Sequence, residues 1–136
     1  MAVDSKEAKL SDPKTVFTIT ALIEGIYFGL GMLFLAPFLL DLLSTAEVTG
    51  LEIYFVRLVG IFAITFTVGC LYARRGDKKI VRLMSTLMFI VKAGATVLLI
   101  VKMISIPTLT MIGWINPILT AFLFYINFQL YRHASN

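Results

Sequence analysis

Long apolar segments dominate the sequence, and short polar stretches separate them. Four such segments cover residues 16–40, 53–72, 81–104 and 109–131. Each is close to the ~20 residues that an α-helix needs to cross ~30 Å of hydrocarbon. None shows the alternation of apolar and polar residues that a strand requires, and backbone groups in lipid must be hydrogen-bonded within the protein. The pattern therefore predicts four membrane-spanning helices.

The connections between the segments are short, so consecutive helices are expected to pack antiparallel. The predicted fold class is all-α: a polytopic membrane protein built as an antiparallel four-transmembrane-helix bundle. We expect an N-terminal tail over residues 1–14, the four-transmembrane-helix domain over 15–132 and a C-terminal tail over 133–136. Asp12-Pro13 is typical of a helix start, and Pro37 is expected to kink or end the first helix.

Composition supports the same class of protein. Of 136 residues, 59% are hydrophobic and 15% are charged, whereas soluble domains are roughly 45–50% apolar and about 25% charged. The chain has one cysteine, Cys70, and one histidine, His133, which excludes an internal disulfide and bis-histidine haem ligation within the chain. We therefore expect no metal and no cofactor. The net charge of +4 would favour nucleic acid in a soluble protein, but here the bases flank apolar spans, so no nucleic-acid partner is expected.

Basic residues accumulate on one side of the predicted bundle. Both termini carry lysine or arginine, whereas the loop after the first segment carries acidic residues and no base. The positive-inside rule assigns the basic side to the cytoplasm, so we expect a multi-pass protein of the cell (inner) membrane with both termini cytoplasmic. The loop between the second and third segments should also attract anionic lipid headgroups. Its basic cluster consists of Arg74, Arg75, Lys78, Lys79 and Arg82.

Ionisable residues inside the spans are costly and normally find a partner. Glu24 lies ten residues beyond Lys14, and Lys92 lies ten residues beyond Arg82, with both flanking bases at the cytoplasmic interface. At 1.5 Å per residue, Glu24 and Lys92 are both ~15 Å deep, near the bilayer centre. The sequence therefore predicts a buried Glu24–Lys92 ion pair. Three interpretations stay open: a pair that fixes helix register, a proton or substrate site, or pairing of either residue with a partner subunit.

The second and fourth segments carry further intramembrane polar residues. Arg57 and Asn116 come out at similar depths, ~27 Å and ~24 Å from the cytoplasmic side, so a contact between them is one interpretation. Two other interpretations are that the side chain of Arg57 extends to the outer lipid headgroups, or that it pairs with Glu52. Asn116 shares a helical face with Thr120 and Asn127.

Small residues at helical spacing predict a helix-packing seam on the first segment. Ala21, Gly25 and Gly29 follow one another every four residues, a spacing typical of closely packed membrane helices. On the third segment, Lys92 and Thr96 share one face. Because this face is polar, we expect it to point toward protein rather than lipid.

Several short motifs occur in order along residues 26–103. They are glycines and a closing proline in the first helix (Gly29, Gly31, Pro37), an Arg-x-x-Gly helix (Arg57, Gly60) and a basic turn (Arg74, Arg75). In these features the chain resembles small four-helix bacterial families such as the DUF4345-like proteins. The resemblance implies a four-helix membrane fold and carries no activity or site residue. A weaker similarity, four short helices with a glutamate in the first, links the chain to the small multidrug resistance transporters, from which Lys92 and the charge bias distinguish it.

The sequence lacks the common motifs of catalytic sites. It has no Gly-rich phosphate loop, HExxH, CxxC or GxSxG motif. Its segments outside the spans are also too short to form a substrate pocket. We therefore expect that the protein is not an enzyme. Small size and the packing seam favour a non-catalytic accessory or structural subunit of a larger membrane complex. The alternative is a small homo-oligomeric transporter or channel with Glu24 as its proton or cation site. The expected partners are the lipid bilayer and either other membrane subunits or further copies.

Overall fold

The computed structural model describes residues 12–43, 47–105 and 110–135, and every regular element in these ranges is helical. The all-α fold class is therefore confirmed. In chain order, the helices are α1 (Pro13–Phe34), α2 (Ala36–Leu43), α3 (Gly50–Ala73), α4 (Lys78–Ser105) and α5 (Ile115–Ser135), with a 3₁₀ turn at Ile112–Trp114 before α5.

Three of these helices, α1, α3 and α4, are long and apolar enough to cross a membrane. They contain 22, 24 and 28 residues respectively. The prediction of membrane-capable helices is thus confirmed for three of the four apolar segments. The fourth forms α5, which has 21 residues but is not among the three, because Asn116, Asn127 and Gln129 lower its mean hydropathy.

The helical region extends beyond both limits predicted for the transmembrane domain. α1 begins at Pro13, and Asp12 caps it by accepting a hydrogen bond from the backbone N–H of Thr15 at 3.1 Å. α5 continues to Ser135, because the chain has no glycine or proline there to end it. Most of the predicted N-terminal tail lies outside the described residues.

The first apolar segment is divided close to Pro37. Leu35 leaves the helical conformation, with φ −110° and ψ 20°, and α2 begins at the next residue. Pro37 has no N–H with which to bond the carbonyl of Leu33, and this missing bond explains why the helix breaks here. The structure agrees with the expected kink.

The middle of α1, Ile23–Gly31, is π-helical. Such segments are rare, are usually single-turn bulges, and occur frequently at functional sites. Gly29 suits this geometry, since a Cβ at that position would lie only 2.9 Å from the carbonyl oxygen of Glu24. The π-helical segment contains Glu24, the acidic partner of the predicted ion pair.

The long helices form two closely packed pairs, α1 with α3 and α4 with α5. α1 also packs beside α5, and α3 beside α4, so α1 and α4 occupy opposite corners of the arrangement.

The start of the last helical segment is hydrogen-bonded to the end of α2. There, the N–H and hydroxyl of Thr110 donate to the carbonyls of Leu43 and Leu42 at 3.1 and 2.9 Å.

Aromatic rings fill much of the space between α4 and α5. Phe89 on α4 packs against Phe124, Phe128 and Tyr131, with centroid distances of 6.4, 5.6 and 5.1 Å. Phe124 and Phe128 are stacked at 5.8 Å. The guanidinium of Arg82 lies 5.7 Å from the ring centroid of Tyr131. These contacts define the aromatic interface between the two helices.

Candidate functional site

Glu24 on α1 and Lys92 on α4 form an ion pair in the interior of the protein. Their side chains are 2% and 7% exposed. Because α1 and α4 occupy opposite corners, their two long side chains meet in the space between the helix pairs. The structure thus brings together the two residues that their estimated depths had paired.

Lys92 also contacts an aromatic ring. Its Nζ lies 4.7 Å from the ring centroid of Phe28, a geometry in which the electron-rich face of the ring attracts the ammonium. Tyr27 packs edge-on against Phe28 at 4.9 Å. Phe28 follows Glu24 by four residues and is expected from the sequence on the same helical face, but its contact with Lys92 was not predicted.

Two hydrogen bonds join α1 to α5 on either side of Glu24. On one side, Nδ2 of Asn127 donates to the hydroxyl of Thr20 at 3.0 Å and to the carbonyl of Leu123 at 2.9 Å. On the other side, the hydroxyl of Tyr27 donates to Oδ1 of Asn116. Oδ1 of Asn127 is buried and has no hydrogen-bond donor among the described residues.

A third hydrogen bond joins α4 to α5. The hydroxyl oxygens of Thr96 and Thr120 are 3.0 Å apart. Each hydroxyl also lies within hydrogen-bond distance of a carbonyl on its own helix, 2.7 Å from Lys92 and 3.0 Å from Pro117 respectively. Together with the ion pair, these contacts connect three helices through polar groups in the interior.

Arg57 takes no part in this interior network. Its side chain is exposed on α3 and has no hydrogen bond or ion pair with any described residue. No hydrogen bond joins Arg57 to Asn116 among the described residues; the Oδ1 of Asn116 accepts one from the hydroxyl of Tyr27 instead. No ion pair joins Arg57 to Glu52 among the described residues. The Glu52 carboxylate accepts a hydrogen bond from the N–H of Thr49 at 3.0 Å and caps α3.

The predicted seam on α1 packs against α3. A Cβ at Gly25 would lie 3.0 Å from Cγ2 of Thr67, and one at Gly29 would lie 2.9 Å from Cγ1 of Ile64. Ala21, the remaining member, is 7% exposed and belongs to the buried core. All three small residues therefore lie where the protein is tightly packed.

Gly60 is the counterpart of this seam on α3. A Cβ at Gly60 would lie 2.8 Å from the backbone nitrogen of Leu33 and 2.9 Å from the carbonyl oxygen of Gly29. The two backbones thus touch at this point. We call the contact between Gly25, Gly29 and Gly60 the glycine interface. Sequence analysis identified one side of it and did not assign Gly60 as the other.

The predicted basic cluster lies at the turn between α3 and α4. Asp77 starts α4 by accepting hydrogen bonds from the N–H groups of Lys79 and Ile80 at 2.9 and 3.0 Å. Most of the cluster is exposed and therefore accessible to charged groups outside the protein. The exposed members are Arg75, Lys78, Lys79 and Arg82, whereas Arg74 is partly buried.

A cavity of about 560 Å³ adjoins the ion pair. Glu24 and Lys92 border one end of the cavity, and Glu52 and Lys102 border the other. Its remaining lining is largely apolar and comes from α1 to α4, with contributions from Asn116 and Thr120 of α5. α3 and α4 contribute more of this lining than the other helices do.

This geometry defines an all-helical protein with membrane-capable helices, a polar core in which most groups pair with one another, and an apolar cavity beside it. Among the described residues, no cluster of three or more His, Cys, Asp or Glu side chains could hold a metal ion. In comparisons with protein-family models, curated proteins and solved structures, nothing matches this chain.

Proposed function

We propose that the chain is an antiparallel four-transmembrane-helix bundle that acts as a non-catalytic accessory or structural subunit of a larger membrane complex. The observation that carries this proposal is the mutual pairing of polar groups inside the protein. Lys92 neutralises Glu24, and the nearby hydroxyl and amide groups bind one another across helices. A bundle organised in this way uses its costly buried groups to align helices rather than to offer a free carboxylate to a substrate.

The role of α5 as the fourth span is supported by its two faces. Thr120 and Asn127 are 2% and 0% exposed and bind groups on other helices, so they do not require lipid to solvate them. Ile118 and Phe122 are exposed and apolar. At 1.5 Å per residue, the helix is ~31 Å long, sufficient for a bilayer. This is also the architecture that the resemblance to DUF4345-like proteins implies.

An orientation with both termini in the cytoplasm is supported by the charge distribution. The contact of Arg82 with Tyr131 brings Arg132 to the same end of the bundle as the basic turn. The antiparallel glycine interface brings the start of α1 to that end too. The positive-inside rule then assigns this end to the cytoplasm, where its exposed bases would meet anionic headgroups. A reporter protein that is active only in the cytoplasm should therefore be active when it is fused to either terminus.

The outer surfaces of α3 and α4 provide room for partner subunits. In α3 and in α4, only 17% of an apolar stretch of 18 residues is buried within the chain, compared with 44% of the corresponding stretch in α1. The exposed side chains include Phe55, Phe62 and Leu98. Large apolar faces of this kind contact either lipid or another membrane protein.

Native mass measurement tests the accessory role. The full chain is extracted from its source membranes in a mild detergent, and its mass and co-purifying proteins are determined. We expect discrete partners in a constant ratio to the chain. A monomer or a homo-oligomer that contains no other protein would contradict the proposal.

The cavity beside Glu24 favours a second candidate, a small homo-oligomeric transporter or channel. In that case Glu24 would bind the proton or cation, and Lys92 would tune it. Proton and cation fluxes into vesicles containing the purified protein would then be lost in Glu24→Gln. Fluxes that are the same in the wild-type protein and in this variant would exclude Glu24 as the transport site.

A further inference from the structure

The cavity has the length of one lipid leaflet. It extends along α4 from Lys92 at its inner end to Lys102 at its outer end. These residues are ten positions apart, which corresponds to ~15 Å along a helix. Half of a ~30 Å hydrocarbon core is the same distance. A single extended acyl chain of the leaflet opposite the basic turn would therefore fit from end to end.

The cavity is open sideways, between α3 and α4. The two helices meet near the basic turn, where a Cβ at Gly69 would lie 2.9 Å from Cε of Met84. Farther from the turn they border the cavity instead. Val59, Phe62 and Leu98 line it and are 52%, 59% and 71% exposed. A lipid chain could therefore enter from the bilayer without crossing water.

The charges at the two ends differ in character. At the inner end Glu24 neutralises Lys92, and Phe28 covers the ammonium, so a ligand needs no charge there. At the outer end Glu52 and Lys102 are both exposed and carry opposite charges. The phosphate and ammonium of an aminophospholipid headgroup form the complementary arrangement.

The geometry points to a binding site for one phosphatidylethanolamine molecule, with an acyl chain in the cavity, its phosphate at Lys102 and its ammonium at Glu52. The cavity volume of about 560 Å³ lies within the roughly 300–1,000 Å³ of ligand sites, and its apolar lining with few polar groups is typical of them. This lipid site is independent of the accessory role proposed above.

Fluorescence quenching by brominated lipid tests the site. In a Trp114→Phe background, which removes the single native tryptophan, Phe66→Trp places a reporter on the cavity wall. Val68→Trp is the matched control, because Val68 is on the same helix, is 62% exposed and does not line the cavity. Each protein is placed in phosphatidylcholine vesicles with increasing fractions of phosphatidylethanolamine brominated in its acyl chains.

We expect quenching at position 66 to saturate, with its midpoint at an about tenfold lower mole fraction than at position 68, as 1.4 kcal/mol of specific binding would produce. Brominated phosphatidylglycerol, which lacks the ammonium, should show no such saturation. Proportional quenching at both positions would overturn the proposal. So would equal saturation by both lipids, which would indicate a site for acyl chains of any headgroup.

Blocking variants provide a second test. Ala95→Phe, at the cavity wall, should abolish the saturable quenching, whereas Val97→Phe, which is exposed and outside the cavity, should preserve it. If Ala95→Phe does not fold, Val59→Phe blocks the same cavity from α3. Lys102→Glu replaces an attraction for the phosphate by a repulsion and should weaken phosphatidylethanolamine binding by about fivefold or more, because the loss of one interfacial charge alone has an about fivefold effect. Unchanged quenching in a folded blocking variant and in Lys102→Glu would overturn the proposal.

Discussion

The glycine interface and the aromatic interface solve the same packing problem in opposite ways. Between α1 and α3 the backbones touch, and a single added methyl group at Gly60 would meet two backbone atoms within 3 Å. Between α4 and α5 the space is filled by rings centred on Phe89. In the membrane setting proposed above, lipid tails are as apolar as the side chains, so both interfaces would depend on close packing rather than on expulsion of water.

The difference concerns tolerance to substitution. A backbone contact can yield only if a whole helix moves, whereas a ring cluster can lose one contact and retain the others. The Glu24–Lys92 pair joins the two helix pairs across the interior. We therefore expect the largest loss in the free energy of unfolding from variants at the ion pair, followed by the glycine interface and then the aromatic interface. The smallest loss is expected at the hydrogen bond between Tyr27 and Asn116.

The largest effect is expected from Lys92→Met, which removes the link between the helix pairs and leaves Glu24 buried without its partner. We expect a loss of about 3 kcal/mol or more in the free energy of unfolding, measured by SDS titration in detergent micelles. The double variant Glu24→Gln/Lys92→Met should regain most of this loss, because no buried charge remains. Lys102→Met, an exposed lysine on the same helix, should change stability by less than about 0.5 kcal/mol. An equally large loss in the double variant would contradict the role of charge pairing.

The next effect tests the glycine interface. Gly60→Leu should lower the free energy of unfolding by about 2–3 kcal/mol, because its side chain meets backbone atoms of α1. Gly94→Leu is the matched control, since a Cβ at Gly94 has nothing within 4 Å. The same titration applies to both variants. Equal stability of the two would show that α1 and α3 do not approach as closely as described.

A smaller effect is expected at the aromatic interface. Phe89→Leu retains an apolar side chain and loses the ring contacts, which should cost about 1 kcal/mol. Phe122 is an exposed phenylalanine on α5, and Phe122→Leu should be nearly neutral. If Phe89→Leu were as damaging as Gly60→Leu, the two interfaces would not differ in tolerance.

The smallest effect is expected for Tyr27→Phe. This change removes the hydroxyl that binds Asn116 and preserves the ring contact with Phe28. Interhelical hydrogen bonds in membrane proteins contribute about 0.6 kcal/mol on average, and we expect a loss of that size on SDS titration. Tyr54→Phe, an exposed tyrosine on α3, should be neutral. A loss above about 2 kcal/mol would place Tyr27 among the main supports of the bundle.

Some of this arrangement follows directly from the sequence. Helical rise is constant, and flanking bases mark one end of each span, so counting residues is enough to estimate that Glu24 and Lys92 lie at the same depth. The row of Ala21, Gly25 and Gly29 similarly identifies a face for close packing. These inferences use distances along one helix, which the sequence contains.

Other features depend on how helices are rotated against each other, and depth alone does not supply this. Arg57 and Asn116 have similar estimated depths, but Gly60 and Ala63 occupy the buried side of α3 while Arg57 is exposed. Tyr27 was therefore missed as the partner of Asn116. The π-helical segment of α1 was missed as well, because its residues, apolar apart from Glu24, show no pattern that distinguishes it from an α-helix.

The separation of the ion-pair partners along the chain has a consequence for biosynthesis. Lys92 follows Glu24 by 68 residues, which a ribosome working at roughly 5–20 residues per second completes in about 3–14 s. Within that interval α1 and then α3 are completed and can join through their glycines, whereas Glu24 still lacks its lysine. A truncated chain that stops before α4 would keep an unpaired carboxylate in the membrane, a defect that quality-control proteases can recognise.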